Sequence, residues 1–263
     1  MSREMKKARV IAVANQKGGA GKTTTVLNLA HGLALRGKEV LILDFDPQGQ
    51  SATYLGLRQE PGIFFLLMSS IKPLEKNELI LLRQQVCSTG RTHLWIIPGS
   101  QETAVAQNSL AALEKPVSYI RDAIGVFIRN GLDYIVMDTS PSLGGLQERA
   151  IWAADYVIVP VAMEFGSLQG LQKTLEIMQK IKSQNWKGTL GGVLPTFYDE
   201  VTKETRKIEE DLRAGFGDRV LAPIHRATVF RESIAEGQTI FEKAPGSRAA
   251  KEYEQLVDTI LKW

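Results

Sequence analysis

Apolar positions along the chain follow two alternating rhythms. Val10–Ala14 is an unbroken apolar run of strand length, and from Thr24 to Leu35 the residues Val26, Leu27, Ala30, Leu33 and Ala34 recur at helical spacing. That helix stops at Arg36-Gly37, and Val40–Asp44 then reads as a buried parallel strand. The stretch 56–90 is less regular, with helical candidates over Ile63–Met68 and Leu74–Gln85, whereas Thr92–Ile97 ends in a Pro-Gly breaker as a strand should. Val117, Ile120, Ile124 and Phe127 or Ile128 mark an amphipathic helix over Val117–Arg129, followed by a strand over Tyr134–Met137 that Asp138 ends. Downstream the pattern predicts helices over Gln147–Ala153, Ser167–Lys182, Thr202–Ala214 and Ser247–Lys262. Strands are predicted over Tyr156–Val161, over Leu190–Leu194 before Pro195, and over Val220–Ile224. Near-continuous apolar strands alternating with helices imply an α/β fold, a doubly wound, mostly parallel sheet with helices on both faces.

No internal repeat or linker divides the chain, so a single domain is expected over residues 1–263. With 44% hydrophobic residues, a chain of this length can bury a substantial core. A net charge of +3 is too mild to imply a polyanion partner, so any nucleic-acid surface must be local. Cys87 is the one cysteine, which excludes an intrachain disulfide and any cysteine-only cluster. Together with the lack of a signal peptide, it points to a reducing cytoplasm. No apolar run approaches the roughly twenty residues of a membrane span.

Chemistry concentrates where the first strand gives way to the first helix, at Lys17-Gly-Gly-Ala-Gly-Lys-Thr-Thr24. A strand that breaks into glycines and resumes as a helix presents free backbone N–H groups at the positive end of the helix dipole, which suits a polyphosphate. In the spacing Gly-x-x-x-x-Gly-Lys-Thr, Gln16 stands where the first glycine is usual. Gly18, Gly19 and Gly21 let the backbone wrap close to phosphates, Lys22 reaches the β- and γ-phosphates, and the hydroxyl of Thr23, followed by Thr24, suits Mg²⁺. Two further strand ends converge on the same edge of such a sheet, Asp44-x-Asp46 and Asp138. Asp138 reads as a Walker B carboxylate holding Mg²⁺ through water, Asp44 as support for its hydration shell, and Asp46 as the group that positions or deprotonates the attacking water.

Taken together, the 15–25 loop, Asp44–Gly49, Asp138–Gly144, Ala154–Pro160 and the Gly237–Tyr253 tail resemble the ParA/Soj partition ATPases, in the family's order and over nearly the whole chain. The resemblance implies the deviant Walker A version of the P-loop NTPase fold, with Lys17 as the signature lysine that crosses a dimer interface to the partner's phosphates. It further implies ATP and Mg²⁺ as cofactors, an ATP-state homodimer, nonspecific double-stranded DNA as ligand, and a ParB-like activator of slow hydrolysis. It matches the small ParA type, without an N-terminal helix-turn-helix, working in the cytoplasm at the nucleoid. Two departures stand out. Ser140-Pro141 replaces the usual Pro-Pro, and Ile224-His-Arg-Ala227 replaces the Ile-Pro-Arg-Asn that holds adenine in relatives. Base contacts are therefore expected from Pro195 and Thr196, with those of His225 and Ala227 through the main chain.

Because the family keeps its DNA surface in the C-terminal third, the expected phosphate ligands are Lys203, Arg206, Lys207, Arg226, Arg231, Lys243, Arg248 and Lys251. Acidic residues are interleaved among them, as on an ordinary solvated face. A membrane role would need an additional basic amphipathic helix at the end, and the last predicted helix carries acids on its polar side. His31, His93 and His225 show no metal-ligand spacing, and Trp95, Trp152, Trp186 and Trp263 are too scattered for a stacking platform. Met163–Gly166 matches a family loop near the dimer interface. The alternatives to partition of plasmid or chromosomal DNA are a positioner of another cargo, such as a microcompartment or chemoreceptor cluster, and a metabolic ATP-dependent kinase or ligase.

Overall fold

A computed structural model describes residues 7–69, 82–129, 131–141 and 145–263. Its strands are β1 (Arg9–Val13), β2 (Val40–Asp44), β3 (Cys87–Ser88), β4 (Leu94–Ile97), β5 (Tyr134–Asp138), β6 (Tyr156–Ala162) and β7 (Thr189–Thr196). They form one sheet in the order β3-β4-β2-β5-β1-β6-β7, parallel except for the β3–β4 pair. Register sets the site: Val13 lies beside Asp138, and Asp138 beside Asp44, so three adjacent strands end level with one another.

Successive side chains on a strand face opposite ways, and both faces of this sheet are covered. Val10, Ala12, Leu41, Leu43, Ile135 and Met137 pack into one core. Ile11, Val13, Val40, Ile42, Tyr134 and Val136 pack into the other, under the helices Lys22–Leu35 and Arg248–Ile260. The central strands therefore read as continuous apolar runs rather than alternating ones.

Three predicted elements differ. The helix expected over Val117–Arg129 is two short helices, Tyr119–Ala123 and Gly125–Ile128, with Ile124 between them. β7 continues through Pro195 to Thr196, which an edge strand tolerates because its outer side carries no regular ladder. Val220–Ile224 is not a strand. It touches β7 through an isolated bridge and the hydrogen bonds Leu221 N to Val193 O and Ile224 N to Pro195 O, both 2.9 Å, and Pro223 has no N–H with which to continue. The helical candidate Leu74–Gln85 lies mostly outside the described residues.

Candidate functional site

Between β1 and the helix Lys22–Leu35 the backbone turns through Gly19 and Gly21, at φ 72° and 84°. Those values favour glycine, and a Cβ at Gly18 or Gly19 would meet no atom within 4 Å, so the loop borders open space. Gly21 occupies the helix N-cap without a side-chain cap, which directs the first N–H groups of the helix to that space. The result is a cleft of about 640 Å³ lined by Gly18, Gly19, Gly21 and Lys22–Thr24, with Asp46 and Ser140-Pro141 on its other walls. Lys22 is buried, and its Nζ donates to the Lys17 carbonyl at 3.1 Å. Burial lowers its pKa, while the charges of Asp138 and Asp46 work to raise it.

Asp44 and Asp138 are buried side by side. Burial first, and then the Asp138 charge, raises the Asp44 pKa well above the carboxylate range. Its two oxygens accept the N–H groups of Asp46 and Ser51, each at 3.1 Å, so this carboxylate shapes the turn that carries Asp46. Gly99 completes the turn, because a Cβ there would sit 2.4 Å from the Asp44 carbonyl oxygen and 2.8 Å from that of Asp46. Burial pushes Asp138 up to about 6, opposed by the hydroxyls of Thr23 and Ser51 and by Lys22. Asp138 Oδ2 accepts from Ser51 Oγ at 2.9 Å, while Oδ1 is buried without a hydrogen-bond partner. An orphaned carboxylate oxygen beside Thr23 is suited to a cation or its bound water.

Lys17 does not line the cleft. Its Nζ lies 3.0 Å from both Glu164 Oε1 and Ser167 Oγ, beside Phe165, which is 92% exposed.

On the base side, Thr196 is buried and donates through Oγ1 to the Ala20 carbonyl at 3.0 Å, bracing the phosphate loop from behind. The Pro195 carbonyl accepts from Ile224 N, and Thr196 lines a small cavity of about 50 Å³ with Gly21, Thr24, Phe197 and His225, next to the phosphate loop. Phe197 also lines the cleft, at φ 50°, with the Arg226 guanidinium 5.5 Å above its ring. Sequence reasoning missed Phe197, although it directly follows Thr196, and also missed Tyr54, Ala104 and Gln107 on the cleft walls. His225 also lines, with Ala227, a second cavity of about 300 Å³. There His225 pairs through Nδ1 with Glu252 at 2.6 Å and stands edge-on to Tyr198.

The predicted basic surface is only partly free. Lys207 is paired with Asp211, Lys243 with Glu236, and Arg248 with Glu252. Arg206 donates to the Glu200 carbonyl. Lys203, Arg231 and Lys251 are exposed and carry no ion pair among the described residues. On the helix Lys203–Phe216, which Thr202 caps, Lys203, Arg206 and Lys207 stand opposite the buried Thr205, Ile208 and Leu212.

Residues 8–190 match the family model described as an AAA domain. Over 261 residues the chain is 35% identical to the chromosome-partitioning ATPase Soj of Thermus thermophilus, covering 97% of this chain and 96% of that one. The chain belongs to the ParA/Soj ATPase family. A second ParA/Soj relative, the sporulation initiation inhibitor protein Soj of Bacillus subtilis, is 31% identical over 257 residues, covering 96% and 98% of the two chains. Among solved structures, an ATP complex of McdA from Cyanothece superposes with a TM-score of 0.84 at 21% identity, covering 97% and 96%. Cobyrinic acid a,c-diamide synthase from Mycobacterium smegmatis, with bound ATP analog and magnesium, gives 0.78 at 28%, covering 97% and 95%. These place the sheet and its phosphate loop in the P-loop ATPase fold of this family. No helix among the described residues is long and apolar enough to cross a membrane.

Proposed function

We propose that the whole chain, residues 1–263, acts as a Mg-ATP-dependent switch that dimerises with ATP, holds nonspecific double-stranded DNA and releases it after hydrolysis. It would work in the cytoplasm at the nucleoid, with a ParB-like activator. The observation that carries this reading is the placement of Lys17: its ammonium is turned out of its own cleft, beside an exposed Phe165, where a second copy can meet it. Magnesium, when bound, neutralises charge on the β- and γ-phosphates. Thr23 and Asp138 would hold it, with Asp44 fixing the turn beneath. Lys22 and the loop N–H groups orient the phosphates, and Asp46, on the facing wall, aligns the attacking water. Sedimentation with and without ATP, in the presence and absence of DNA, tests the reading. An ATP-dependent dimer that pellets with DNA is expected, and a protomer unchanged by a non-hydrolysable analogue would overturn it.

A further inference from the structure

We propose that Gln147 is a positioning residue for hydrolysis, joining the start of the phosphate loop to the segment that follows Asp138; the inference rests on the ATPase reading above. Gln147 lies in the first turn of the helix Leu146–Ala153 and is 3% exposed. Its Nε2 donates to the Ser140 carbonyl at 2.9 Å and to Thr139 Oγ1 at 3.3 Å, and its Oε1 accepts from Gln16 Nε2. A carbonyl can only accept, so the contact with Ser140 fixes which end of the amide faces which partner.

Each side of this joint is anchored elsewhere. Thr139 Oγ1 donates to the Val13 carbonyl at 2.9 Å, holding the end of β5 against β1. Gln16 N donates to Thr174 Oγ1 at 3.3 Å, Asn15 Nδ2 to the Pro160 carbonyl at 2.6 Å, and Lys17 N to Asn15 Oδ1 at 2.8 Å. Gln16, at the position where such loops usually have glycine, thus turns its side chain away from the cleft and into the joint. Gln147 sets the spacing between Ser140-Pro141, which line the cleft, and the loop residues that carry Lys17. A buried polar network with its partners in place is rigid, and a misplacement of about 1 Å in a reacting constellation can cost on the order of 100-fold in rate. Phosphate binding needs Lys22 and the loop N–H groups beyond Lys17, and none of these bonds to Gln16 or Gln147.

The test compares single-turnover ATP hydrolysis, ATP affinity and melting temperature for wild type, Gln147→Met, Gln147→Glu, Gln16→Met and the double Gln16→Met/Gln147→Met variant. Gln147→Met is expected to lose about tenfold or more in rate with ATP affinity within about threefold of wild type. Gln147→Glu keeps an acceptor for Gln16 but sets a carboxylate against the Ser140 carbonyl, so its rate falls as well. The double variant is expected to be no slower than the slower single one, as for residues acting through one bond. A Gln147→Met rate within about twofold of wild type overturns the proposal, as does a fall in rate matched by equal losses of affinity and melting temperature. Wild-type protein that binds ATP without releasing phosphate would instead sink the ATPase reading itself.

Discussion

The ammonium of Lys17 and the carboxylate of Glu164 stand 3.0 Å apart, outside the cleft that the next residue, Gly18, lines. Both side chains are partly exposed, so the pair contributes less than about 1 kcal/mol to the folded protomer, and freeing the lysine costs little. Lys17→Ala is therefore expected to melt within a few degrees of wild type and to bind ATP with affinity changed by no more than about fivefold, yet to stay monomeric with ATP. Analytical ultracentrifugation with a non-hydrolysable analogue checks this; an ATP-dependent dimer of the variant would remove Lys17 from the interface.

Lys22 presents the opposite case. Buried beneath the loop, its ammonium is desolvated, and this outweighs the attraction of Asp138 and Asp46, leaving one hydrogen bond to the Lys17 carbonyl for an alanine to forfeit. Lys22→Ala should keep or raise the apo melting temperature while ATP affinity falls by about 100-fold, the loss of a charge-assisted phosphate contact of roughly 3 kcal/mol. Titration calorimetry alongside thermal melts separates the two effects.

Asp46 accepts from Gln48 N at 2.9 Å and lines the cleft, whereas Asp44 accepts the Asp46 and Ser51 N–H groups in the interior. Asp46→Ala should bind ATP, dimerise and persist in that state, with turnover reduced by about 100-fold or more. Asp44→Ala should instead lose fold stability, because the buried Ser51 N–H and the half-buried Asp46 N–H lose the acceptor that shapes their turn. Phosphate release and melting curves on the two variants distinguish the roles, and full turnover by Asp46→Ala would refute the one assigned to it.

Much of this arrangement was legible because apolar run length and breaker residues set strand ends, and strand ends set the site. Val40–Asp44 and Ser167–Lys182 have the bounds that their patterns predict. What escaped notice depended on tertiary contacts. The helix Glu102–Ala112 buries only Thr103, Ala106 and Leu110, of which Leu110 alone is large and apolar, so the periodic signal is muted, and it delivers Ala104 and Gln107 to the cleft. Phe197 was hidden for a different reason. It reads as one more residue at a strand end, and only the left-handed backbone there turns its ring to the cleft. The basic residues were visible as charges, but the partners that occupy Lys207, Lys243 and Arg248 were not.

That pairing makes the DNA prediction selective. An unpaired exposed cation can neutralise a phosphate at once, whereas a paired one must first give up its carboxylate. Arg231→Ala is expected to weaken DNA binding several-fold and to reduce the salt slope by about one, with ATP affinity unchanged. Lys207→Ala should have a smaller effect on both. The Arg226→Ala/Arg231→Ala double variant should lose DNA co-sedimentation, and because Arg226 lies over Phe197, its nucleotide affinity needs separate measurement. Retained DNA binding by the double variant would exclude both residues.

His31 supplies a pH test remote from the chemistry. It is buried on the helix Lys22–Leu35, its Nδ1 2.6 Å from Thr239 Oγ1, with Phe241 edge-on to its ring and Glu242 and Arg91 nearby. Burial lowers its pKa to about 4, the Glu242 charge opposing and that of Arg91 assisting. Between pH 6.5 and 4 the unfolded chain therefore binds a proton that the folded chain refuses, so stability falls as pH drops through this window and is unaffected above it. Integrated over the window, the loss is on the order of 3 kcal/mol. His31→Gln removes the titration and keeps a polar partner for Thr239. Its melting temperature should fall more slowly than that of wild type from pH 6.5 to 4, the two curves running parallel above pH 7. Curves that remain parallel down to pH 4 would show that His31 accepts its proton in the folded state as readily as in the unfolded one.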